Sequence, residues 1–196
     1  MKYLFLMGGS GTGKTTLAKN LESLKPDIYR RTRELSTRDI REGEIDGFDY
    51  KFVSKEKFME ILNTDGMLEH SIYQFPPNYY GAEYTELHND KWNVVIVCIE
   101  AFMSALENIE EGDSAILVNI LSDTELDISR AGRDPKIEEN VNRSVLYNLF
   151  KMREINSKVK YFELGLSYLK EIRNEPDALL EYFETITSMV DLWKNK

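Results

Sequence analysis

A single cysteine in 196 residues, Cys98, excludes an intramolecular disulfide and makes a reducing, cytoplasmic setting the default expectation. Its neighbours, Val94, Val95, Ile96, Val97 and Ile99, are all apolar, which points to a buried structural thiol rather than a reactive one. Positive charge is short as well. With 25 Lys and Arg against 34 Asp and Glu the net charge is −9, so general affinity for nucleic acid or for an anionic membrane is not expected. Long hydrophobic runs are missing: no segment approaches the roughly 20 apolar residues of a membrane span. The N-terminal apolar run, Tyr3 to Met7, stops at glycines and does not resemble a signal peptide. His70 and His88 stand apart from any Cys/His/Asp cluster, which argues against a zinc site. Repeats and low-complexity tracts are absent. What is left is one compact unit of ordinary core size with small-molecule partners, as a monomer or homodimer.

Against these absences, glycine is concentrated where it matters. Gly8, Gly9, Ser10, Gly11, Thr12, Gly13, Lys14, Thr15 and Thr16 fit G-x-x-x-x-G-K-T directly after that apolar run. Residues without a Cβ let successive backbone N–H groups curl around phosphate oxygens. Lys14 brings a point charge to the outer phosphates, Thr15 offers a hydroxyl to Mg²⁺, and the helix starting here aims its positive end at the same anion. The nine residues are therefore the expected ATP-binding loop.

The rest of the chain alternates strands and helices. Residues 3–7 read as a strand covered on both faces of a parallel sheet, and residues 15–25 as a helix stopped by Pro26. Ile28 and Tyr29 suggest a short second strand. From Arg30 to Phe52 the chain is polar and turn-rich, and five of its ten arginines (Arg30, Arg31, Arg33, Arg38 and Arg41) lie in this stretch. Ser54 is placed to cap a helix over residues 55–63, residues 67–73 read as a strand, and Phe75, Pro76, Pro77 and Asn78 as a loop. Buried strands are expected at 94–99, 115–120 and 159–164. Helices are expected along Phe102, Ala105, Leu106 and Ile109, after the Ser122/Glu125 capping box, and along Val141, Val145, Leu149, Met152 and Ile155. A last one starts at Asn174 and Pro176, with the stripe Leu179, Phe183, Ile186, Val190 and Trp193. The fold class is α/β: a P-loop parallel sheet with helices on both faces, ligands lying beyond the carboxyl ends of the strands. Residues 1–32 and 92–196 form the core, about 33–91 a small lobe and about 128–142 a lid.

Residues 36–54, S-T-R-D-I-R-E-G-E-I-D-G-F-D-Y-K-F-V-S, resemble the guanylate kinase segment T-T-R-x-x-R-x-G-E-x-[DN]-G-x-D-Y-x-F-[VL]-S. Leu68-Glu69 is similar to that family's h-E-W element and Asn78-Tyr79-Tyr80-Gly81 to its N-Y-Y-G. The likeness is good to about Gly81, weaker to about Arg143, and unrecognised beyond. It implies a nucleoside monophosphate kinase that moves the γ-phosphoryl group of MgATP to GMP or dGMP. The NMP-binding lobe would hold the acceptor phosphate with Arg38, Arg41, Tyr50 and Tyr80, and guanidinium forks suit a dianionic phosphate. Glu69 would accept hydrogen bonds from guanine N1–H and the 2-amino group. Arg133 and Arg143, with Arg130, fall where such enzymes carry mobile-lid arginines that neutralise the transferred phosphoryl group. Arg30, Arg31 and Arg33 match nothing in the family individually, and structural and ligand roles both stay open.

The departures cluster around the base. A base-binding serine of the family falls at Glu34, the small hydroxyl residue after N-Y-Y-G is Ala82, and L-D-I-D reads Val97-Cys98-Ile99-Glu100. Glu34 ionised would repel guanine O6 but accept from an exocyclic amino group. Glu100 is a candidate for the acceptor ribose, for Mg²⁺-bound water, or for plain helix capping. Beside GMP or dGMP, the alternative is a specificity shifted or relaxed toward deoxy or modified purine monophosphates. A non-catalytic guanylate-kinase-like interaction domain is the rival of another class, disfavoured by the intact Gly13-Lys14-Thr15, and a GTPase is disfavoured by the absence of N-K-x-D.

Overall fold

The computed structural model describes residues 1–74, 77–121, 145–147, 150 and 157–194. Its centre is β1 (Lys2–Gly8), buried from Tyr3 onward because both faces of the strand are covered. Parallel partners flank it: β7 (Trp92–Ile96) on one side and β8 (Ser114–Leu121) on the other, followed outward by β2 (Tyr29–Arg31) and β9 (Val159–Gly165). The five-stranded order is β2-β7-β1-β8-β9. One face packs Leu4, Leu6, Val94 and Val118 against α1 (Lys14–Leu24), α4 (Leu166–Ile172) and α5 (Pro176–Lys194). The other packs Phe5, Met7, Val95 and Leu117 against α3 (Ile99–Asn108) and Leu146. The sequence pattern thus becomes a parallel sheet with helices on both faces.

The second sheet begins in the arginine-rich stretch and is completed by residues 67–83. Its order is β4-β3-β6-β5, from β3 (Leu35–Ser36), β4 (Lys51–Phe52), β5 (Met67–Gln74) and β6 (Pro77–Glu83). Helix α2 (Lys55–Asn63) closes a small core of Leu35, Phe58 and Met67, and Ser54 caps it by accepting from Lys57 N–H at 3.2 Å. Gly81 is required inside the hairpin: a Cβ there would stand 2.7 Å from the Glu69 carbonyl oxygen and 2.8 Å from Met67 Sδ. The lobe is tied to the core where Asn108 Nδ2 donates to Leu68 O at 2.9 Å and Ser104 Oγ meets His70 Nδ1 at 3.0 Å.

Three expectations are corrected. Pro77 and Asn78 belong to β6 rather than a loop, because a first strand residue needs no N–H and a proline is tolerated there. The strand expected at 94–99 runs from Trp92 to Ile96, since Cys98 already caps α3, its Sγ accepting from Ala101 N–H at 3.5 Å. Burial pushes the Cys98 thiol up to about 11, in keeping with an inert thiol. Strand β2 starts at Tyr29, one residue after Ile28. The Ser122/Glu125 capping box, the lid and its arginines lie outside the described residues. Among those described, no helix is long and apolar enough to cross a membrane.

Candidate active site

The phosphate loop follows from how β1 ends. Gly8 has φ +149°, and a Cβ on it would meet the Ile120 carbonyl oxygen at 2.7 Å, so a side chain would push the loop off the neighbouring strand β8. Thr12, 1% exposed, closes the loop on itself by donating from Oγ1 to Gly9 O at 2.9 Å. Gly13, at φ 88°, turns the chain into α1 with no side-chain cap and no acidic residue in the first turn. The first N–H groups of α1 therefore face outward with the positive end of the helix, which is what an anion needs. Lys14 Nζ folds back to donate to Gly8 O at 2.7 Å and Gly9 O at 2.8 Å, placing the ammonium over the loop. Thr15 and Thr16 are exposed beside it.

In the small lobe, Arg38, Tyr50 and Tyr80 converge. The Arg38 guanidinium stacks over Tyr50 at 5.0 Å and Phe52 at 5.2 Å, and the Tyr50 and Tyr80 rings meet edge to face at 6.1 Å. Glu44 holds the fork of Arg38 by two bonds of 2.7 and 2.6 Å and accepts from Arg41 N–H at 2.9 Å. A bidentate carboxylate demonstrates that this fork presents the geometry an oxyanion takes. That contact raises Arg38 above its ordinary range and holds Glu44 below the usual carboxylate range. The Arg41 side chain is exposed.

Residues 48 and 49 of the lobe, β2 and α1 are pinned together by residues whose role the sequence left open or did not suggest. Arg31, 3% exposed, donates to the backbone carbonyls of Phe48 and Asp49 and stacks on the Phe48 ring at 5.5 Å. Lys19 of α1 pairs with Asp49 at 2.7 Å. Arg30 and Arg33 both bond Glu22, at 3.1 and 2.7 Å. Burial pushes Glu22 up, but these arginines and the Arg31 N–H outweigh it and hold the carboxyl low. So three of the arginines outside the motif make structural contacts. Arg173, at the end of α4, brings Nη1 to 3.6 Å from where a Cβ of Gly13 would stand, and nothing in its sequence setting signalled this approach to the phosphate loop.

Glu34 and Glu69 come together behind that cluster. Glu69 is 2% exposed on β5 and pairs across the hairpin with Ala82, itself fully buried. Glu34 precedes β3, is partly exposed, and receives a hydrogen bond from the Ile96 N–H. Burial raises Glu34 to about 8, against the pull of Arg31 and Lys14. Burial and the Glu34 charge hold Glu69 well above the usual carboxylate range. Glu100 is exposed in the first turn of α3, beside the Cys98 cap. Arg130, Arg133 and Arg143 lie outside the described residues.

A parallel sheet whose central strand runs into a glycine loop and an uncapped helix end is the architecture of the P-loop nucleotide-binding class. Comparison with known proteins narrows the class. The guanylate kinase family model matches residues 1–162. The guanylate kinase of Oceanobacillus iheyensis is 31% identical over 184 residues, spanning 91% of this chain and 76% of that protein. That of Lactiplantibacillus plantarum is 41% identical over 79 residues, 40% of this chain and 37% of that protein. The crystal structure of guanylate kinase from Anaplasma phagocytophilum superposes with a TM-score of 0.59 at 18% identity, covering 90% of this chain and 85% of that one. The chain belongs to the guanylate kinase family, and with it to the nucleoside monophosphate kinases.

Proposed function

We propose that the protein transfers the γ-phosphoryl group of MgATP to a purine nucleoside monophosphate, GMP and dGMP foremost, to give the diphosphate. The observation that carries the reading is the Arg38–Tyr50–Tyr80 cluster in the lobe that the Lys19–Asp49 pair joins to α1, the helix that begins at Lys14. The loop and the α1 N-terminus hold the donor phosphates and Lys14 moves onto their outer oxygens. Arg38 exchanges Glu44 for the acceptor phosphate, with Arg41 alongside and the two phenols fixing its orientation. An acceptor oxygen then attacks the γ-phosphorus in line, the bond to the β–γ bridging oxygen breaks, and ADP departs. That oxygen is already anionic, so no general base is required and positioning and charge stabilisation supply the rate.

Thr15 suits Mg²⁺, because an exposed hydroxyl beside phosphate oxygens is a hard donor for an ion that keeps several waters. The metal would neutralise charge on the β and γ oxygens when bound. Arg133 and Arg143 are proposed to supply the remaining positive charge from the lid. A second reading within the same class, a shifted purine specificity, is favoured by the Glu34–Glu69 pair. Product analysis tests the reading: GDP must form from GMP and MgATP with wild-type protein, and its absence would favour the interaction-domain alternative.

A further inference from the structure

Glu34, Ala82 and Glu69 form a row across three adjacent strands of the lobe sheet. β3 pairs with β6 through Leu35↔Gly81 and Ser36↔Tyr80, so the register carried one residue further sets Glu34 beside Ala82, which pairs with Glu69. Side chains in such a row share one face. The middle one is a methyl group, so nothing bulky separates the two carboxyls. Among the described residues neither of them lies within ion-pair distance of a cation. The groups facing Glu34 at longer range are Arg31 of β2, Lys14 of the phosphate loop and the Tyr50 phenol ahead of β4, while the Ile96 N–H of β7 donates to it. Glu69 receives the Ala82 N–H of β6 and faces Glu34. Two like charges facing each other, with Glu69 almost wholly buried, do not both persist at neutral pH. Ser36, on the same face of β3 as Glu34, is fully buried and its hydroxyl has no partner among the described residues, so the face carries a further unsatisfied polar group.

We propose that Glu34 and Glu69 carry one proton between them whose position follows the base, so that the site reads the 2-amino group of a purine and accepts either an oxo or an amino group at position 6. This rests on the nucleoside monophosphate kinase reading. With a 6-oxopurine the proton sits on Glu34, whose O–H donates to O6, and the Glu69 carboxylate accepts from N1–H and the 2-amino group. With a 2,6-diaminopurine it sits on Glu69, whose O–H donates to N1 while its carbonyl oxygen accepts from the 2-amino group. The Glu34 carboxylate then accepts from the 6-amino group. N1, the 2-amino group and the 6-substituent each have a partner in both arrangements, and the proton count is the same. Adenine and hypoxanthine lack the 2-amino group and leave one Glu69 oxygen desolvated against C2–H.

The test is kcat/KM with MgATP for GMP, IMP, AMP and 2,6-diaminopurine ribonucleoside monophosphate, from about pH 6 to about pH 9. GMP and the diaminopurine nucleotide should agree within about tenfold and exceed both AMP and IMP by roughly tenfold or more. Both good substrates should decline as pH rises above neutral, where the shared proton is lost. Glu34→Gln supplies an amide that donates to O6 at every pH, so it should flatten the GMP decline, while the diaminopurine nucleotide still needs Glu69 protonated and keeps its decline, the GMP to diaminopurine ratio rising about tenfold towards pH 9. Glu69→Gln should move the ratio the other way. Diaminopurine rejected as strongly as adenine, or a GMP profile in wild type no steeper than in Glu34→Gln, would overturn the shared proton while GMP turnover upholds the kinase reading. Absence of acceptor-dependent ADP release with all four would overturn both.

Discussion

Lys14 and Arg38 make two different demands on their positions, and substitution separates them. Lys14→Ala removes the ammonium held over the loop and with it charge on the outer phosphates, so kcat should fall about 10²-fold or more, with a smaller change in the acceptor KM. Arg38→Lys keeps the charge but loses the fork that Glu44 occupies at 2.6 and 2.7 Å, so the acceptor KM should rise about tenfold. Steady-state kinetics varying each substrate in turn checks both, and an unchanged acceptor KM in Arg38→Lys would remove Arg38 from the acceptor site. Candidate residues at this scale could be named from the sequence. A phosphate loop and a nineteen-position motif fix chemistry through local spacing, which a sequence displays directly. The partners of those residues could not, because Glu44 on Arg38, Arg31 on the Phe48 carbonyl and Arg173 beside Gly13 depend on how separate segments dock.

Among the elements, β1 and its turn into α1 set the geometry of the loop. Gly8→Ala combines a left-handed φ with a 2.7 Å approach to Ile120 O, and should destabilise the protein by on the order of 1–3 kcal/mol as well as lowering turnover. Urea denaturation compared with wild type measures this, and equal midpoints would show that the loop relaxes freely. Helix α2 was legible because Ser54 marks its start by local chemistry. The start of β6 was not, because Pro77 reads as a breaker unless its position as first residue of a strand is known. The far end of β7 was obscured in a similar way: an apolar run continues through Cys98, but hydrogen bonding passes there from the sheet to a helix cap.

At the scale of the whole molecule, carboxylates pull stability in opposite directions with pH. Glu34, raised to about 8 by burial, holds a proton in the folded protein that the unfolded chain releases above its ordinary value. Its contribution is present at low pH and lost as pH rises through about 8. Glu22, Glu44 and Asp49 are held low by Arg33, Arg38 and Lys19, so their contribution is present above the ordinary carboxylate range and lost as pH falls below it. The thermal midpoint should therefore be higher near pH 5.5 than near pH 9, by about a few degrees. Glu34→Gln should reduce that slope in calorimetry, and an unaltered slope would mean that Glu34 ionises freely. The change in composition from Arg30 pointed to a separate polar segment, whereas the four-stranded second sheet and its tie to α3 through β5 required the fold.

The most direct test of the kinase account is the rate of ADP release from MgATP by the purified protein with and without a purine monophosphate. The account predicts slow hydrolysis alone and a rate at least about 10²-fold higher when GMP or dGMP is added, with the nucleoside diphosphate formed in step. ADP release that does not respond to any monophosphate would contradict it.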